Sequence, residues 1–236
     1  MYHRAVLELI FLCSRRAGLT REQYAAHLLE RHAPLALRHH ATLRSYVLNV
    51  VAPDRTDASA GADPIDSVNA LHYDSLADFE LRNYDSAEGE RIVTGDHARF
   101  LGGAAGYLCH ETVYRDVRAR VAPGQRSPGV KWICALRRSA RLDPERFAAA
   151  LEADLVPEIL AGQPGATRVA ISRVERKLYP VGDEWDAFIE TSFDDAQRAP
   201  LHPFDSFDCA VSLRGRVSRL TDATATWKVS EYTQRG

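Results

Sequence analysis

Apolar positions along this chain change period several times, and each change marks an element. Val6–Cys13 is a short, nearly continuous apolar run closed by Ser14-Arg15-Arg16, which predicts a buried strand. Gly18–Leu35 then takes a helical period. Tyr24 and Leu28 stand one turn apart on a buried stripe, and the spacing predicts a helix from about Arg21 to Ala33. Thr20 and Gln23 fit a capping box, and Leu19 with Tyr24 fits a hydrophobic staple. Pro34 offers no N–H to the carbonyl of Glu30 and pushes Ala33 from helical angles, so the helix is expected to end there. On an ideal α-helix His27 and His32 fall roughly 140° apart, on opposite flanks of the stripe.

Ser45–Val51 and Val68–Tyr73 read as further strands, with a Pro-, Asp- and Gly-containing loop at Ala52–Asp66 between them. Ser75 is placed to cap a second helix, with Asp78 at its third position. Phe100–Gly106 is Gly-rich and expected to be irregular, and Tyr107–Tyr114 is a fourth strand. The order β-α-β-β-α-β is the ferredoxin-like unit. Val121–Gly129 has the composition of a linker, and after it the pattern repeats. A shift of 123 residues places Arg15 on Arg138, Leu19 on Leu142, Tyr24 on Phe147, Leu28 on Leu151 and Pro34 on Pro157. Farther on, a shift of 117 places Ala70-Leu71 on Ala187-Phe188 and Ser75 on Ser192. The expected architecture is therefore α+β, with one ferredoxin-like unit in residues 1–120 and a second in 130–236. At the shift of 123, His27 falls on Ala150 and His32 on Leu155, so a histidine site would occur once per chain.

Composition narrows the partners. A hydrophobic fraction of 45%, a charged fraction of 26% and a net charge of -2 give no electrostatic footprint for nucleic acid or a membrane surface. The four cysteines are widely spaced, without CxxC, which fits free thiols in a reducing compartment and gives no zinc pattern. The first apolar run contains Glu8 and lacks a small-residue cleavage site, so it reads as a strand and not a secretion signal. No apolar run reaches the ~20 residues of a spanning helix, and a cytoplasmic setting is expected.

With those residues in view, the first half resembles the EthD domain, a branch of the dimeric α/β-barrel superfamily. The matching text is Phe11–Arg16, Gly18–Tyr24, His27-x4-His32-Ala33-Pro34-Leu35, then Tyr46, Val47 and Asn49, Tyr73-Asp74-Ser75, and Asp96-x3-Phe100-Leu101. The resemblance implies two four-stranded antiparallel sheets packed face to face as a barrel. Here the duplication would supply both from one chain, as a monomeric pseudo-dimer or a homodimer of it. It further implies a small-molecule enzyme without metal or cofactor. Lyase or isomerase chemistry on a carbonyl-bearing aromatic, polyketide-like or lactone substrate is the expected function. A cofactor-free monooxygenase and a non-catalytic binding protein are the alternatives. The family often has a glutamate on the third strand where this chain has Ala70, and a tryptophan where it has His72.

The candidate catalytic residue is His32, which the resemblance sets near the mouth of the barrel cavity. An imidazole titrating near pH ~6.5 can take and return a proton at neutral pH. The alternative is a histidine that completes a helix end and suits its dipole. His72 alternates with Val68 and Ala70 on one strand face and would point into the barrel if Leu71 and Tyr73 pack on helices. His27 would join His32 only if the two helix flanks converge. An i, i+5 pair does not share one α-helical face, so no metal site is expected there. Arg15 could hold a carboxylate, although Arg137-Arg138 recur in the half that lacks the histidines. Tyr46 and Tyr73 are candidate pocket hydroxyls, and Trp132, Tyr179 or Trp185 of the second half could wall the pocket. His39-His40 reads as solvated surface and Cys13 as packing.

Overall fold

The computed structural model describes residues 7–58, 64–205 and 210–236. Val6, part of the expected Ala52–Asp66 loop and Cys209 lie outside the described residues. The described chain runs β-α-β-β-α-β twice: β1 (Leu7–Arg15), β2 (Ser45–Ala58), β3 (Ser67–Tyr73) and β4 (Leu101–Asp116) form the first half. The second half supplies β5 (Val130–Arg138), β6 (Arg168–Lys177), β7 (Ala187–Phe193) and β8 (Thr221–Arg235). They close as an antiparallel barrel in the order β1-β3-β2-β8-β5-β7-β6-β4. Each half is a four-stranded sheet with its second and fourth strands at the edges. The edge β2 pairs with β8, and β4 pairs with β6. Closure thus removes every edge that an isolated half would expose.

The helix of the first half does not end at Pro34. The segment α1 (Arg21–His27) enters a π turn at Leu28–His32 and continues as α2 (Ala33–His39). The Ala33 N–H reaches back five residues to the Leu28 carbonyl. That wider turn puts Pro34 at the start of a fresh helical segment, where a missing N–H is tolerated. The second half repeats the device, with α5 (Pro144–Ala150), a π turn at Leu151–Leu155, and α6 (Val156–Gly162) around Pro157.

Ser75 caps only the short α3 (Leu76–Glu80). The helix that crosses the sheet is α4 (Ala87–Phe100), whose N-cap Ser86 accepts the Gly89 N–H. Its counterpart in the second half is α7 (Ala210–Leu220). The Gly-rich stretch after Phe100 is not irregular but the beginning of β4. A Cβ on Gly102 would stand 2.4 Å from the Arg15 carbonyl oxygen, at a bulge between Ser14 and Arg15. Likewise β2 runs past Val51 to Ala58, because β8 offers a partner beyond a register shift there.

Strand pairing also corrects the repeat. Leu7 faces Tyr73 and Val130 faces Phe193, so the third strands superpose at a shift of 120, not 117. Ala70 therefore corresponds to Glu190. Ser75 corresponds to Asp195, which caps a 3-10 turn at Ala196–Arg198.

Apolar side chains divide by compartment. Ile10, Val68, Tyr107, Ile133, Phe188 and Trp227 fill the barrel interior. Tyr24, Leu28, Leu71, Tyr73 and Phe100 pack between the first sheet and its helices, and Trp132, Phe147, Leu155 and Val217 do so in the second half. The linker is tied along β8, with Gly124 and Ser127 N–H groups donating to the carbonyls of Thr233 and Glu231. Among the described residues, no helix is long and apolar enough to cross a membrane.

Candidate functional site

A cavity of about 400 Å³ opens between the helix-side face of the first sheet and its helices. Phe11, Cys13, Tyr46, Asn69 and Leu71 form the sheet wall. Leu28 and His32 reach it from the π turn, His97 and Phe100 from α4, and His40, Asn83 and Tyr84 from the flanking segments. Tyr179 of the second half stands at its mouth, 44% exposed. This volume suits a small organic ligand, and the lining mixes an apolar body with a few convergent polar groups. A larger groove of about 660 Å³ follows the linker, and there Arg118 and Lys131 are both already paired with Glu231.

The π turn builds the chemistry. Its i→i+5 pattern brings residues five apart toward one face, so His27 and His32 converge where an α-helix would separate them. Both meet Asp96 of α4. His27 Nε2 lies 3.0 and 3.1 Å from the two Asp96 oxygens, and His32 Nδ1 lies 3.1 Å from Oδ2. The carboxylate accepts, so each imidazole donates to it. His32 then has Nδ1–H fixed on Asp96, and its Nε2 becomes the acceptor nitrogen. Phe100 stacks on His27 with ring centroids 4.9 Å apart and packs at the same distance from His32.

His32 is only 6% exposed. Burial, reinforced by the neighbouring His97 ring and opposed by Asp96, pushes its pKa down to about 4. Burial lowers the pKa of His97 and His40 as well. Burial alone would raise the pKa of Asp96, but the hydrogen bonds from His27 and His32 hold its carboxyl below the usual range. At neutral pH His32, His40 and His97 are therefore neutral imidazoles beside one carboxylate. Cys13 lines the cavity with its thiol pushed up to about 12 by burial, which keeps it protonated.

The structure brings together some of the residues singled out from sequence and separates others. His32 and Tyr46 line the cavity, and His27 supports it through Asp96. His32 does not sit at the mouth of the barrel: its cavity lies outside the barrel, on the helix side of the sheet. His72 lies across the sheet, inside the barrel, 3.6 Å from Glu8 and 3.8 Å from Glu111, so it cannot act on the same ligand as His32. Tyr73 is fully buried beside the cavity, and its hydroxyl donates to Asn83 Oδ1 at 2.9 Å. Arg15 is paired with Asp66 and bonds the Leu19 carbonyl, away from the cavity. Arg138 makes the same contacts with Asp186 and Leu142, which marks both arginines as strand-end clamps. Trp132 belongs to the helix-side core of the second half, and Trp185 to the barrel interior.

Three residues at the candidate site are not signalled by the sequence on their own. Asp96 and His97 were visible only as part of the Asp96-x3-Phe100 spacing, which puts Asp96 one turn before Phe100 on α4. His40 is not solvated surface: it is buried, donates from Nδ1 to Asn83, and packs 4.9 Å from the Tyr84 ring. In the second half the counterparts of His27, His32, Asp96 and His97 are Ala150, Leu155, Arg216 and Val217. Leu155 and Val217 fill that space as core among the described residues of the second half.

Fold and site together define a dimeric-type α/β barrel closed within a single chain. Residues 16–104 match the EthD domain. The fold is similar to an anthrone oxidase-like protein at 14% identity and a TM-score of 0.62, covering 98% of this chain and 94% of that one. It is also similar to a monooxygenase-like protein from Lactobacillus acidophilus at 11% identity and a TM-score of 0.55, covering 98% of both chains. A chlorite dismutase from Candidatus Nitrospira defluvii matches at 12% identity and a TM-score of 0.54, covering 96% and 90%. At these identities the likeness shows the fold alone. No curated protein matches the sequence.

Proposed function

We propose that this protein is an enzyme that uses His32 as a general base on a small, carbonyl-bearing aromatic or polyketide-like substrate. The observation that carries this reading is the His32–Asp96 pair facing a cavity of ligand size. A neutral imidazole with its Nδ1–H held by a carboxylate has one nitrogen free to accept a proton, and Asp96 stabilises the imidazolium that forms. Phe11, Leu28, Leu71 and Phe100 supply an apolar bed for a flat ring. Tyr46, Asn69 and His40 offer polar groups to a carbonyl or hydroxyl. Proton abstraction next to a carbonyl gives an enolate. Return of the proton elsewhere is isomerisation, and loss of a β-hydroxyl is dehydration, both within the lyase or isomerase class.

A second reading is supported by the anthrone oxidase-like and monooxygenase-like barrels that share the fold. In it the same deprotonation yields an electron-rich phenolate or enolate that reacts with molecular oxygen. The test is to incubate the protein with hydroxylated anthrones and with β-hydroxy polyketide mimics, following oxygen uptake and products together. Turnover with oxygen uptake selects the monooxygenase, and turnover without it selects the lyase or isomerase. In either case His32→Ala should lower turnover about 10²–10⁴-fold with the fold intact. A fully active His32→Ala protein would overturn both readings.

A further inference from the structure

The interior of the barrel holds a second cluster, separate from the helix-side cavity. Glu8 of β1, His72 of β3 and Glu111 of β4 point inward at one end, with ligand atoms all within 4.8 Å of one another. We propose that these three residues bind a divalent first-row transition-metal ion that cross-links β1, β3 and β4 inside the barrel.

Geometry is the first support. His72 Nε2 lies 3.6 Å from a Glu8 oxygen and 3.8 Å from a Glu111 oxygen. Donor atoms around a tetrahedral ion with bonds near 2.1 Å stand roughly 3.4 Å apart, so small side-chain shifts close the shell. The set of one imidazole and two carboxylates suits zinc, cobalt or iron in the divalent state.

Charge is the second. Glu8 is 1% exposed, and its Oε2 has no hydrogen-bond partner among the described residues. The Ser172 hydroxyl of β6 faces it, and among the described residues its ion-pair partner is His72. A buried carboxylate in such company needs a cation or a proton.

The duplication supplies the third support. In the second half, Lys131 occupies the position of Glu8, and Glu231 that of Glu111. The Lys131 ammonium bridges Glu231 at 2.7 Å and Glu190 at 2.9 Å. The second half thus neutralises its carboxylates with a lysine. In the first half that position carries a third donor in place of the lysine. Arg168 of β6 binds the other oxygen of Glu111 and Glu190, which orients Glu111 as an outer-shell partner would.

Cobalt(II) is the probe. The full chain, stripped with chelator and dialysed, is titrated with cobalt chloride and followed by visible absorption and calorimetry. One equivalent per chain, with displacement by zinc chloride and a rise in thermal midpoint, is expected. Glu8→Gln and His72→Ala should weaken binding more than tenfold and remove the midpoint rise. His110→Ala, on the outer face of β4 beside Glu175, should bind as the parent does. Failure of the parent to take up one equivalent overturns the proposal, and so does parent-like binding by Glu8→Gln and His72→Ala. Should a variant not fold, X-ray absorption of the zinc-loaded parent decides. One imidazole with oxygen neighbours supports the site, and sulfur or several imidazoles overturns it.

Discussion

A single nitrogen, Nε2 of His32, carries the chemical argument, and its protonation sets two measurable pH dependences. The folded imidazole has its pKa pushed down to about 4, whereas an unfolded one titrates near ~6.5. Between those values the unfolded chain holds a proton that the folded chain does not. Stability is therefore complete above about pH 6.5 and falls as pH drops toward 4. The loss attributable to His32 is on the order of 3 kcal/mol, and His32→Gln should flatten that slope in urea titrations at stepped pH. Activity has a different signature. As a general base, His32 must be unprotonated, so the acid limb of kcat/KM should lie near pH 4 and not near 6.5. Asp96→Asn removes the charge and replaces one of the two acceptor oxygens by a donor, so the tautomer is no longer fixed. It should lower kcat about 10²–10⁴-fold and move the acid limb lower still, whereas a merely structural Asp96 would leave the limb in place.

At the scale of elements, the π turn is what makes two distant-looking histidines into one site. Pro34 holds that turn open, because a regular helix would aim a missing N–H at the carbonyl of Glu30. Pro34→Ala restores the N–H and lets the turn relax to a regular α-helix. The expected result is a protein as stable as the parent or more so, with His27 and His32 turned apart. Histidine NMR titration should then show the His32 pKa shifted, and turnover should fall with the fold intact. The repeat shows why this device is built into the backbone and not into the site. Pro157 holds the same turn in the second half, where Ala150 and Leu155 replace the histidines. The neighbouring cap is simpler: Ser86→Ala leaves the Gly89 N–H unpaired at the start of α4 and should cost about 1 kcal/mol in denaturant unfolding.

The whole molecule is held shut by β2–β8 and β4–β6 pairing and by a charged network inside the barrel. Arg168 is the cross-half member. From β6 it binds Glu111 and Asp116 of β4, and also Glu190 of β7. Arg168→Met leaves Glu111 without its arginine partner, while Glu190 keeps Lys131 and Asp116 keeps Arg118, and should cost about 3–5 kcal/mol in urea unfolding, with half-life under heating shortened accordingly. Closure also predicts the behaviour of a fragment. Residues 1–120 alone would expose β2 and β4 as open edges of a sheet with one apolar face uncovered. Such a fragment should self-associate, and light scattering should find a dimer or larger species and no stable monomer.

Two repeats, their helix starts and most strands were legible in the sequence, because capping boxes, staples and apolar runs are local signals. Thr20, Gln23, Asp143 and Pro144 act where their spacing says they should. The helix does not end at Pro34 as its sequence predicts, since a lone proline tells of a lost hydrogen bond but not of the π turn that absorbs it. Loop-like Gly102 and the run to Ala58 became strand only because neighbouring strands offered pairing. The identity of His32 as a candidate was readable from its motif. Its partner Asp96, the burial that keeps it neutral, and the separation of His72 to the other face of the sheet were not. Those depend on which helix packs over which strand, and on which face of a closed barrel each residue meets. Local residue order determined the repeated unit and its capping. Closure of the barrel decided which side chains share a compartment, because only tertiary packing sets distances between residues far apart in the chain.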